Sequence, residues 1–89
     1  MRLFRRKPAD PAPSLRLLSR PGCHLCETLL EVAAPVVAGR GGTLTLVNVD
    51  EDAELAARWG AEIPVILDDE GRVVAKAKDS ADRIRRRLE

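Results

Sequence analysis

Apolar positions in this chain fall into blocks set apart by turn residues, and the spacing within each block differs. Leu15-Arg16-Leu17-Leu18-Ser19 reads as a short strand. After Pro21-Gly22, apolar side chains fall at Leu25, Leu29, Val32, Ala33, Val36 and Val37. That is the stripe of a helix with one buried face. Pro35 should kink or end this helix, and Gly39-Arg40-Gly41-Gly42 terminates it. Residues 43–50 predict a second strand. Its Leu44, Leu46, Val47 and Val49 are too continuous for one-faced alternation and imply burial on both faces of a parallel sheet. Asp50 or Asp52 can cap a short helix through Trp59, which Gly60 closes. Ile63-Pro64-Val65-Ile66-Leu67 gives a third strand, and Asp68-Asp69-Glu70-Gly71 turns it into the hairpin partner Arg72-Val73-Val74-Ala75. Asp79 or Ser80 then caps a last helix with a narrow stripe at Ala81, Ile84 and Leu88. The predicted order is β-α-β-α-β-β-α, an α/β domain with a four-stranded mixed sheet.

Composition narrows the function classes. The chain has 89 residues and is 45% hydrophobic, which suits one small globular domain. Residues 1–13, with Pro8, Pro11 and Pro13, predict a basic flexible arm, and residues 14–89 the folded domain. The net charge of +1 is uneven: both ends are basic and the body is acidic. Phe4 and Trp59 are the only aromatics, so base stacking and aromatic cages are poor candidates, and no nucleic-acid partner is expected. No stretch approaches the roughly 18 apolar residues of a membrane span. The first seven residues lack the apolar segment of a secretory signal. The expectation is a cytoplasmic monomer without a membrane partner.

The chemistry concentrates in Pro21-Gly22-Cys23-His24-Leu25-Cys26-Glu27, which holds both cysteines at the first strand-to-helix junction. Residues three apart on a helix share a face, within the roughly 5–6 Å Cα separation of a disulfide. Cys23 falls at or near the N-cap, where free N–H groups and the helix dipole favour a thiolate. Thiols so placed in C-x-x-C motifs can drop to a pKa of roughly 3.5–7.5. Two cysteines in a reducing compartment point to redox or metal chemistry. Structural zinc would need four ligands, and Cys23, His24 and Cys26 have no second pair elsewhere. No metal site is expected. The reading is a redox dithiol with Cys23 attacking and Cys26 resolving. Beside it, Arg20 could steady the thiolate or meet a substrate carboxylate, against the opposing charge of Glu27. His24 could stabilise the thiolate when protonated, or touch substrate from an exposed position. Trp59 is expected to be a packing anchor.

A C-x-x-C at the first β-to-α junction of this element order is a thioredoxin-like signature. Leu18-Ser19-Arg20-Pro21-Gly22-Cys23-His24-Leu25-Cys26 resembles the opening of glutaredoxins, and Arg58-Trp59-Gly60-Ala61-Glu62-Ile63-Pro64-Val65 resembles the segment ahead of that family's cis-proline. Over residues 15–89 the chain resembles a small glutaredoxin-like group with a C-x-L-C motif. The resemblance implies a three-layer thioredoxin-like fold and a thiol–disulfide oxidoreductase that carries electrons through a redox-active disulfide. It also implies a cis Pro64 against the active-site sulfurs. The backbone at Ile63 and Val65 would then pair with an extended thiol substrate, either a disulfide-containing protein or a low-molecular-weight thiol. No cofactor is required, with glutathione a possible reductant. The chain departs from the family at Ala75-Lys76-Ala77-Lys78-Asp79-Ser80, where glutaredoxins usually carry a Gly-Gly-x-Asp turn that cradles glutathione. Two other classes remain open: a non-catalytic module offering its proline groove to a peptide, and a metal or iron–sulfur carrier using Cys23.

Overall fold

The computed structural model describes residues 12–89. The elements are β1 (Ser14–Ser19), α1 (His24–Gly39), β2 (Thr43–Asn48), a 3-10 turn (Val49–Glu51), α2 (Ala53–Trp59), β3 (Val65–Leu67), β4 (Val73–Lys76) and α3 (Ala81–Arg87). The four strands form one sheet in the order β2-β1-β3-β4. β1 runs parallel to β2, with Leu15 opposite Leu44 and Leu17 opposite Leu46. It runs antiparallel to β3, which forms a hairpin with β4. This is the order and the mixed sheet that the sequence predicts. The predicted arm lies outside the described residues except at Ala12 and Pro13.

The pleat of β1 separates two cores. Leu15 and Leu17 join Leu29, Ala33, Val36, Val37 and Ile84 under α1 and α3. Leu18 points the other way and joins Val49, Val65 and Leu67, with Leu55 and Trp59 of α2 against them. Successive strand residues face opposite sides, so a run such as Leu17-Leu18 holds a sheet between two helical layers. Each fully buried Leu or Val contributes about 1.5–3 kcal/mol. Half-buried Trp59 is the packing anchor expected of it.

Three expectations change. β2 is an edge strand, not one buried on both faces, and its Leu46 is 58% exposed. An apolar run does not reveal where a strand sits in the sheet. Val49, read as part of that strand, has left it for the 3-10 turn and is fully buried there. Second, α1 continues through Pro35 to Gly39. The ring lies on the exposed side, and the carbonyl deprived of its partner is that of exposed Glu31, which solvent can satisfy. Third, the buried stripe of α1 begins at Cys26, and Leu25 faces solvent.

Caps and turns fix the ends. Asp52 accepts the N–H groups of Glu54 and Leu55, and Ser80 Oγ accepts that of Arg83. At the β3–β4 turn, Asp68 accepts the N–H groups of Glu70 and Arg72 at 2.9 Å. The Arg72 N–H, with the guanidinium of the same residue, holds the Asp68 carboxyl below the usual carboxylate range. Gly42 lies against Pro13 at the start of β1 and β2, where a Cβ would run into the Pro13 carbonyl oxygen and ring.

Candidate active site

The site grows from the turn between β1 and α1. Gly22 has φ +79°, a conformation that L side chains rarely adopt, and this lets the chain fold tightly into the helix. The Cys23 N–H donates to the Arg20 carbonyl at 3.2 Å and closes the turn. Cys23 is the N-cap of α1, and its Sγ accepts the N–H of Cys26 at 3.2 Å. A sulfur thus occupies the place where capping oxygens normally sit. Cys23 and Cys26 are joined as a disulfide, with Cα atoms 5.2 Å apart. Their surroundings differ: Cys23 is half-buried, whereas Cys26 is 3% exposed and belongs to the core under α1. One sulfur is within reach of an incoming disulfide and the other lies behind it.

The charged neighbours divide. The Arg20 guanidinium donates to both Asp50 carboxylate oxygens, at 3.0 and 3.2 Å, and to the Gly60 carbonyl at 3.2 Å. Its fork therefore ties the loop before Cys23 to the 3-10 turn and to the end of α2. Sequence reasoning aimed this residue at the sulfur or at a substrate carboxylate; its ion pair is with Asp50, and it lines the same cleft as Cys23. The His24 side chain is 87% exposed, with Nδ1 3.7 Å from Glu27 Oε1, an outward placement.

The Ile63–Pro64 peptide bond is cis, as the resemblance implies. Pro64 and Val65 are fully buried, backbone included, so of the three residues Ile63, Pro64 and Val65 that sequence reasoning assigned to substrate, Ile63 alone reaches the surface. Ile63 is half-buried and packs against the same core as Cys23. A cleft of about 360 Å³ joins Cys23 to the end of β2. Cys23 and Glu27 line it with Leu46, Asn48 and Glu51, and Pro64 does not. Sequence reasoning missed Leu46, Asn48 and Glu51. Their link to Cys23 depends on β2 lying beside β1 with its end at the turn, which no local pattern reveals.

Asp79, in the segment where glutaredoxins carry the glycine turn, is occupied within the fold. Its Oδ2 accepts the Lys76 N–H and an Arg87 N–H, each at 2.8 Å. Arg83 lies 3.5 Å from the other oxygen. Burial pushes the carboxyl up, but the Lys76 N–H and the two arginines outweigh it and hold it below the usual range.

The model of the glutaredoxin-like domain family (DUF836) matches residues 14–89. The chain belongs to this glutaredoxin-like family. Two structures of one structural-genomics target protein, XcR50 from X. campestris, are similar to it at 35% identity. The X-ray structure covers 83% of this chain and 93% of its own, with a TM-score of 0.69. The solution structure covers 83% and 90%, with a TM-score of 0.67. No curated protein matches the chain. The fold is thioredoxin-like, and family and cysteine pair together support a thiol redox role in general terms. No helix among the described residues is long and apolar enough to cross a membrane.

Proposed function

We propose that this glutaredoxin-like domain is a thiol–disulfide oxidoreductase working through a dithiol mechanism. The observation that carries the reading is the asymmetry of the pair: Cys23 caps the helix and is half-buried, while Cys26 is 3% exposed behind it. When the pair is reduced, the Cys26 N–H and the positive end of the α1 dipole face the Cys23 sulfur and favour its thiolate. That thiolate attacks one sulfur of a substrate disulfide. A Cys23–substrate disulfide forms and the other substrate sulfur leaves as a thiolate, taking a proton from solvent. Cys26 then loses its proton to solvent and attacks the Cys23 sulfur. The internal disulfide forms and the second substrate thiolate leaves. Two electrons pass from the cysteine pair to the substrate. A low-molecular-weight thiol such as glutathione, or a dithiol protein, restores the reduced pair, and the cycle uses no metal or organic cofactor.

The substrate reading is a disulfide-bearing protein or small thiol met by a cytoplasmic monomer, with Arg20 holding the loop, His24 at the rim and the backbone of Ile63 beside Pro64. The test is a pair of variants. Cys23→Ser is expected to abolish exchange. Cys26→Ser is expected to accumulate a mixed disulfide on Cys23, visible by intact mass. Mixed disulfides on Cys26 in the Cys23→Ser variant, with none in the other, would reverse the assigned roles.

A further inference from the structure

Among the described residues β2 pairs with β1 alone, so its outward N–H and C=O groups face no strand. Proteins usually blunt such an edge with charge, proline or a bulge. The residues of β2, Thr-Leu-Thr-Leu-Val-Asn, include neither charge nor proline, and its register with β1 is unbroken from Thr43 to Asn48. Leu46 adds a large exposed apolar side chain. The same edge leads to the sulfur, because Leu46, Val47 and Asn48 line the cleft that holds Cys23. Charge completes the picture. Arg20, the cation of the cleft, is taken up by Asp50. Among the described residues, Glu27 has only the 3.7 Å approach of His24 and Glu51 makes no ion pair.

We propose that the edge of β2 docks an extended segment of the substrate polypeptide, with a Lys or Arg beside its cysteine placed between Glu27 and Glu51 and an apolar residue on Leu46. The proposal rests on the thiol-exchange reading and names the substrate class for it. Only a peptide backbone supplies the regular donors and acceptors that extend a sheet. The occupant must carry a disulfide, because the cleft it enters ends at Cys23. Opposite charge makes it basic. The cis-Pro64 side is left to the second half of the substrate disulfide.

The experiment uses the reduced full chain and three probes. Two are decapeptides with one central cysteine held as a mixed disulfide with 2-mercaptoethanol, flanked by arginines in one and glutamates in the other. The third is bis(2-hydroxyethyl) disulfide. Each turnover converts the dithiol to the Cys23–Cys26 disulfide and releases the two thiols of the probe. Rates are divided by those with free dithiothreitol, which removes the intrinsic reactivity of each peptide. The arginine peptide is expected to react roughly threefold to tenfold faster at low salt, the effect of one or two exposed ion pairs. The preference should shrink near 1 M salt, where the Debye length falls to about 3 Å. Glu51→Lys should abolish it, and Glu51→Gln should reduce it, each read as the ratio of arginine-peptide to glutamate-peptide rates within one variant, so that any change common to all probes cancels. Equal normalised peptide rates beside normal reduction of the small disulfide would overturn the docking edge and leave thiol exchange standing. Failure with all three probes would instead overturn thiol exchange. A dimer in sedimentation whose formation slows the arginine peptide would give the edge to a second copy and overturn the proposal.

Discussion

Replacing Asp79 probes the corner between β4 and α3 with a signed pH dependence. The side chain is 10% exposed and accepts the Lys76 N–H and an Arg87 N–H at 2.8 Å. Arg87 also donates to the Val74 carbonyl, so the carboxylate fastens the last helix to the hairpin. A hydrogen bond to a charged group contributes about 1.5–3 kcal/mol, and the partly exposed Arg87 places its share at the lower end. Asp79→Asn keeps an acceptor and loses the charge, so about 1–2 kcal/mol is expected at neutral pH. Asp79→Ala loses both partners, with about 2–4 kcal/mol expected. The folded carboxyl is held below its ordinary 3.8. Its contribution is therefore complete above the unfolded value and is lost as pH falls through the folded value. Urea unfolding of the parent and Asp79→Asn at pH 7, 5, 3 and 2 reads this directly. The difference should be constant from pH 7 to pH 5 and shrink below about pH 4. A difference that stays constant down to pH 2, or one below about 0.3 kcal/mol at pH 7, would refute the ionic role.

Other perturbations reach the remaining supports. Arg20→Gln and Asp50→Asn, combined in a double-mutant cycle, should show a coupling of about 0.5–1 kcal/mol, since both groups are partly exposed; additive effects would mean the clamp holds nothing. Gly42→Ala drives a Cβ into Pro13 where β1 and β2 begin. It should cost about 1–3 kcal/mol and lower Tm by roughly 5–15 °C in a thermal melt, and an unchanged Tm would contradict the close approach. His24→Ala should move the reduction potential by less than about 10 mV, given the outward ring; a larger shift would show that it acts on the sulfur.

Much of this molecule was legible from spacing. The position of the C-x-x-C at a strand-to-helix junction gave its place at the helix start, because Pro21-Gly22 and the stripe of α1 are local signals. The hairpin was equally local, with Asp68 and Gly71 marking its turn. Lateral order in the sheet was not legible. Leu44, Leu46 and Val47 look alike whether a strand is central or outermost, and only the pairing with β1 shows Leu46 at the edge. The one-residue shift from Leu25 to Cys26 has a similar cause. Both fit a helical period, and the burial of one was decided by the sheet beneath. Arg20 was read by distance along the chain from Cys23, while its partners Asp50 and Gly60 lie thirty and forty residues away.

The dithiol mechanism requires a reversible ring between Cys23 and Cys26, and intact-mass titration of the full chain in defined glutathione buffers tests that most directly. The expected result is loss of two hydrogens in a single transition, at a potential between about −270 and −120 mV, with glutathione adducts at most a minor species. A protein that takes up glutathione on Cys23 across the whole range and never closes the ring would contradict it.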